Sequence, residues 1–199
     1  MGSSPCDGPA ASGRLTPAKV LIAGGCGAGK TTLVTAISEI RPLRTEEPLT
    51  RAGTGAGHVS SVDAKTTATV AMDFGRITLS SHRVLYLFGT PWQERFGFMW
   101  DELAYGALGA VVLADTRRLS DCFPSVDYFE KRRLPFILAV NCFDGAPRHG
   151  LGDVRAALDL DPHVPALACD PRQRTEARQV LLTLVEHALA TALGSRHAE

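Results

Sequence analysis

The sequence predicts an α/β fold: a mixed, mostly parallel six-stranded sheet with helices on both faces. Three observations carry this. Short apolar runs alternate along the chain with segments of helical periodicity, the pattern of strands joined by crossover helices. The first run, residues 20–23 (VLIA), opens directly into a glycine-rich loop and then a helix-forming segment. Two strand-like segments, 66–79 and 83–88, are separated only by Ser80-Ser81-His82, a connection so short that they must pair antiparallel.

In chain order, residues 1–17 are mostly Gly, Ser, Pro and Ala and have little to bury, so they read as a disordered leader before one domain over 18–195. Residues 19–23 are continuously apolar after Lys19, as suits a strand covered on both faces. A helix follows from Gly29 to about Ile40, closed by Pro42. Residues 41–65, with Gly53, Gly55 and Gly57, are too long for an ordinary connection and read as an irregular functional lid. After the antiparallel pair, strands are predicted at 110–114, 136–140 and 165–168, with helices at 94–108, 121–133 and 153–158 between them. The last helix, 175–193, is the clearest. Ala177, Val180, Leu181, Leu184, Val185, Ala188, Leu189 and Ala192 recur at three-and-four spacing, opposite Arg178, Gln179, Glu186 and His187.

Composition narrows the classes. In 199 residues, 21 basic and 21 acidic side chains cancel, so there is no electrostatic footprint for nucleic acid. The five cysteines are scattered without a CxxC pair, which argues against a zinc site or a disulfide framework and fits a reducing cytosol. No apolar run approaches the ~20 residues that span a bilayer. The opening MGSSPC fits neither a myristoylation signal nor a signal peptide. A cytoplasmic location is therefore expected.

The chemistry-bearing stretch is KVLIAGGCGAGKTT, residues 19–32. Gly24, Gly29, Lys30 and Thr31 fit G-x-x-x-x-G-K-[ST] in the strand–loop–helix context that this pattern requires. Glycines let backbone N–H groups turn inward around a polyphosphate, where a Cβ would block close approach. The following helix points its unsatisfied N–H groups at the same anion. A lysine here reaches the outer phosphates, and the Thr31 hydroxyl can ligate Mg²⁺. Nucleoside triphosphate binding is the expectation.

In a sheet of this kind, ligands sit at the carboxyl ends of the strands. The segments there read FGTPWQERF (88–96), NCFD (141–144) and ACDPR (168–172), with KTTATVAMDFG (65–75) opening the antiparallel pair. Together they resemble the Ras-like small GTPase superfamily. Within it, the nucleotide-binding protein of bacterial conservon operons, related to gliding-motility and polarity GTPases, is the nearest likeness, over about residues 19–187. The resemblance implies a P-loop NTPase G domain that holds GTP or GDP and Mg²⁺. It implies phosphate contacts from Gly24, Gly25, Cys26, Gly27, Ala28, Gly29, Lys30, Thr31 and Thr32. Thr69 would join Thr31 on the metal, with Thr66 and Thr67 as fallbacks, and Gln93 would orient the attacking water. Asn141 and Asp144 match N-K-x-D, with the Asp144 carboxylate accepting two hydrogen bonds from guanine, while Cys169 and Asp170 close off the base. Arg51, beside the glycine cluster of the lid, is the first choice for an intrinsic arginine finger, ahead of Arg41 and Arg44.

Three positions depart from the resemblance. Gly89 stands where most such proteins carry the Asp that supports Mg²⁺, Trp92 replaces a glycine that changes conformation with nucleotide state, and Cys142 replaces the lysine that packs on the base. Three readings follow: a GTP-binding switch with slow hydrolysis, a non-hydrolysing nucleotide-dependent interaction module, or an ATP-dependent small-molecule kinase. The last lacks an arginine-rich lid and an acceptor pocket. The resemblance implies a roadblock-type regulator and a membrane sensor-kinase-like protein as partners, with recruitment to a membrane complex. Trp92, Phe96, Met99, Trp100, Leu103 and Ala107 form a core-facing stripe, with Trp92 and Phe98 as candidates for a docking patch. Oxidation of Cys142 or Cys169 would be expected to lower nucleotide affinity.

Overall fold

The computed structural model describes residues 16–48, 67–91 and 97–196. In chain order the elements are β1 (Thr16–Gly24), α1 (Lys30–Ile37), β2 (Leu43–Pro48), β3 (Thr67–Ser80), β4 (Arg83–Gly89), α2 (Gly97–Ala104), β5 (Gly109–Ala114), a 3₁₀ turn (Thr116–Cys122), α3 (Phe123–Lys131), β6 (Phe136–Asn141), α4 (Leu151–Ala157), β7 (Ala166–Cys169) and α5 (Arg174–Arg196). They build one sheet in the order β2-β3-β4-β1-β5-β6-β7. β4, β1, β5, β6 and β7 run parallel, while β3 is antiparallel to both of its neighbours.

The predicted α/β fold is present, and a seventh strand is added. β2 lies inside the stretch expected to be an irregular lid, and pairs with β3 from Leu43↔Phe74 to Pro48↔Thr67. The physical reason is the length of β3. At 14 residues it runs past the Gly89 end of its hairpin partner β4, and its outer edge carries backbone donors and acceptors that need a partner. Arg51 and the glycine cluster of the lid lie outside the described residues. At the amino end, Thr16 and Pro17, counted with the leader on composition, continue β1 in register with Arg83 and Val84. α1 ends at Ile37 rather than Ile40, and the Ser38 hydroxyl accepts from the Arg76 and Ile40 amides just beyond it.

Two cores flank the sheet. One packs α1 and α5 (Leu33, Val34, Ile37, Ala177, Val180, Leu184) on the face of β1, β4, β5 and β6 that carries Val20, Ile22, Leu87, Val111 and Ile137. The other packs Trp100, Leu103, Val126, Phe129 and Val154 on Leu21, Val112 and Leu138. The strict alternation of these residues along the buried second half of β1 and along fully buried β5 and β6 is what a sheet covered on both faces requires. Trp100 and Leu103 are buried, with Met99 and Ala107 packed against them, so this part of the α2 stripe is core. Trp92 and Phe96 lie outside the described residues.

Candidate functional site

The loop between β1 and α1 leaves the sheet at the carboxyl end of a central strand and enters α1 at Lys30. Gly29 caps the helix at φ +108°, and a Cβ there would lie 2.7 Å from Asn141 Nδ2. Only glycine meets both conditions. Lys30 is buried, and its ammonium donates to Gly24 O at 2.8 Å and Gly25 O at 2.7 Å. Burial pulls its pKa down to about 8, against the opposing field of Cys26, Asp73, Cys122 and Asp121. Gly27 is exposed at the loop's crest, and Thr32 is exposed on the first turn of α1.

Thr31 points the other way, toward β3. Its hydroxyl donates to Asp73 Oδ2 at 2.5 Å, and Asp73 is buried. This contact answers the puzzle of Gly89. In the hairpin, Asp73 lies directly opposite Gly89, where a Cβ would come within 3.0 Å of the Asp73 Cβ and 3.2 Å of Oδ2. A carboxylate from the neighbouring strand thus sits across from Gly89, and Gly89 leaves it room. Hard oxygen donors of this kind, one carboxylate and one hydroxyl beside a phosphate loop, suit Mg²⁺.

Asn141, at the end of β6, donates its Nδ2 to Ala28 O at 2.9 Å and is buried. It holds the phosphate loop in position. Three residues on, Asp144 is exposed and meets the Arg172 guanidinium, Nη1 to Oδ2 at 2.6 Å and Nη2 to Oδ1 at 3.1 Å. Asp170, just after β7, accepts from the Arg172 amide and Nε at 2.9 Å and from Nη2 at 2.8 Å. Hydrogen bonds and the charge of Arg172 hold both carboxyls below the usual carboxylate range. The Asp170 amide in turn donates to Glu176 Oε2 at 2.7 Å.

The structure therefore brings together the phosphate loop, Asn141, Asp144 and Asp170, which come from three separate strand ends. Thr69 lies within β3, in register with Glu46. Cys169 is displaced from its expected role. Its side chain is part of the core, and burial pushes its thiol up to about 12, so little reactive thiolate forms. The Cys142 amide bonds to Cys169 O at 2.9 Å, tying the ends of β6 and β7 together. Gln93 and Trp92 lie outside the described residues, as does Arg51.

Two contributors were not foreseen. In the sequence Asp73 stands out only as one letter of KTTATVAMDFG, with no role assigned to it. Arg118, in the 3₁₀ turn after β5, donates from Nη2 to Cys26 O and so braces the phosphate loop from the side. Its neighbour Arg117 is fixed by Asp115 at 2.8–2.9 Å and lies 3.9 Å over the Phe143 ring, beside Asp144. Both arginines follow a strand end, the signal that located the other site segments.

A family model described as "Conserved hypothetical ATP binding protein" matches residues 22–191. Among solved structures, the chain is similar to the G domain of the T. maritima FeoB iron transporter, at 16% identity and TM-score 0.56, covering 87% of this chain and 99% of that one. It is also similar to the Arl6 BBS3 small GTPase from Trypanosoma brucei, solved with the bound nucleotide analogue GppNp, at 17% identity and TM-score 0.60, covering 88% and 99%. At these identities the likeness establishes the fold, which is that of small GTPase G domains. No protein of curated function matches the chain in sequence. No helix among the described residues is long and apolar enough to cross a membrane.

Proposed function

The chain belongs to the family of conserved hypothetical ATP-binding proteins, and from that premise we propose that it is a nucleotide-binding switch that prefers guanine and hydrolyses GTP slowly. The observation that carries this reading is the joint placement of Lys30, Thr31–Asp73 and Asn141–Asp144 around one phosphate loop. Lys30 lies on the loop's own carbonyls and needs only to turn to reach the outer phosphates. The N–H groups at the start of α1 face the same anion. Thr31 and Asp73 would hold Mg²⁺, which when bound neutralises charge on the transferring phosphate. Asp144 offers a carboxylate to the N1–H and amino group of guanine, a donor pair that adenine lacks. Gln93 would orient the water and Arg51 would offset charge in the transition state. Thr69 would join Thr31 and Asp73 on the metal.

The roadblock-type regulator, the membrane sensor-kinase-like partner and the membrane-recruited cytoplasmic location complete the proposal and rest on the sequence resemblance. The family description favours a second reading, an adenine nucleotide at the same site. Calorimetric titration with GDP, GTP, ADP and ATP in Mg²⁺ separates the two. Guanine nucleotides should bind at least tenfold tighter, and equal or stronger binding of ATP would overturn the assignment of Asp144. Single-turnover hydrolysis then compares wild type with Gln93→Ala, and unaltered turnover would remove Gln93 from the mechanism.

A further inference from the structure

We propose that Arg172 is an internal competitor for guanine, occupying the Asp144 carboxylate with the same donor pattern that the base would present; this rests on the guanine reading above. The guanidinium is a flat fork whose Nη1 and Nη2 make two N–H bonds to the two oxygens of Asp144, at 2.6 and 3.1 Å. The Watson–Crick edge of guanine carries the same fragment, a ring N–H and an amino group on one carbon. A carboxylate that reads guanine by two bonds therefore accepts arginine in the same way. Adenine has no such pair, so the competition falls on guanine nucleotides alone.

The second carboxylate makes the exchange feasible. Arg172 Nε donates to both oxygens of Asp170, at 2.9 and 3.1 Å, its Nη2 adds a bond at 2.8 Å, and its own amide bonds to Asp170 Oδ1. Arg172 can release Asp144 and stay anchored, so base entry breaks one ion pair and leaves no charge stranded. Both partners of the released pair are solvated, Asp144 at 82% and Arg172 at 53% side-chain exposure. An exposed pair of this kind is worth about a two- to fivefold change in an equilibrium constant. That is enough to loosen guanine binding and hasten exchange without abolishing either.

The test titrates the full chain with GDP and ADP in three forms: wild type, Arg172→Ala and Asp144→Asn. Arg172→Ala should bind GDP about two- to fivefold tighter at 50 mM salt, with ADP unchanged. The gain should shrink at 0.5 M salt, where the exposed pair is screened. Asp144→Asn should weaken GDP binding. Unchanged or weaker GDP binding by Arg172→Ala, with Asp144→Asn still impaired, overturns the competition and leaves the guanine reading standing. GDP binding indifferent to Asp144→Asn overturns the guanine reading and the competition together. Should Arg172→Ala fail to fold, Arg172→Gln, which keeps the bulk without the charge, is read the same way.

Discussion

Lys30 is a buried cation whose two visible acceptors are neutral carbonyls of its own loop, Gly24 O and Gly25 O. Burial therefore dominates and brings its pKa to about 8. A bound polyphosphate supplies the missing negative charge and must raise that pKa, so binding takes up a proton once the free lysine begins to lose one. Affinity for GDP should be flat below about pH 7 and fall roughly sevenfold between pH 7 and 8.8, following the loss of the protonated form of a group titrating near 8. Calorimetry at pH 8.5 in buffers of different ionisation enthalpy should register the uptake, and Lys30→Met should bind weakly with a flat profile. Stability should move in the opposite direction. The unfolded chain holds this proton up to about 10.4, so between the folded and unfolded pKa values the unfolded state binds more protons and Lys30 costs the fold less as pH rises. The neighbouring residue gives a second expectation. Asp73→Asn keeps a partner for the Thr31 hydroxyl but removes the charge, and should reduce the Mg²⁺ dependence of nucleotide affinity at least tenfold, read by titration with and without the metal.

The β3–β4 hairpin shows how one backbone irregularity decides which side chain reaches the site. Counting back from Ser80↔Arg83 without interruption would put Phe74 opposite Gly89. The register instead shifts between Thr78 and Ser80, with Thr78 paired to Val84, and this bulge brings Asp73 opposite Gly89. Phe74 then falls on the other face, 5.2 Å from the Phe88 ring. Restoring an acid at Gly89 should therefore do harm. Gly89→Asp sets a second carboxylate against Asp73 in a buried site, and should lower the denaturation midpoint and weaken Mg²⁺-dependent binding. The exchange Asp73→Gly with Gly89→Asp, which moves one carboxylate across the strands, should recover part of what Asp73→Gly alone loses. The same hairpin marks what the sequence could convey. The strand–helix alternation, the phosphate loop and the segments at the strand ends were legible because each depends on local periodicity or fixed spacing. The bulge, the pairing of β2, the Arg118 brace and the burial of the Cys169 thiol were not, since each is settled by contacts between distant segments. Gly89 read as a loss until its partner strand was in place.

At the scale of the whole molecule, the site is where five separate segments converge on one end of the sheet: the loop after β1, Asp73 of β3, Arg118 after β5, Asn141 and Asp144 from β6, and Asp170 with Arg172 after β7. Among the described residues, polar side-chain ties join them: Thr31 to Asp73, Asn141 to Ala28, Arg118 to Cys26 and Arg172 to two carboxylates. The two apolar cores lie along the sheet faces and do not depend on these ties. A nucleotide that spans Lys30 to Asp144 contacts most of the segments at once, and only in the folded arrangement, since the unfolded chain scatters them over about 150 positions of sequence. Binding must then appear as stability by mass action. At a free GDP concentration of about 100 Kd with Mg²⁺, the gain is about 2.7 kcal/mol, or roughly 5–10 °C in the unfolding midpoint for a domain of this size. ADP at the same concentration should give a smaller shift, because it leaves Asp144 with Arg172. Lys30→Met should abolish the GDP shift while leaving the midpoint without nucleotide equal to or above that of the wild type, because a buried charge has gone. A midpoint that rises equally with GDP and ADP would show that the phosphates are held and the base is not read.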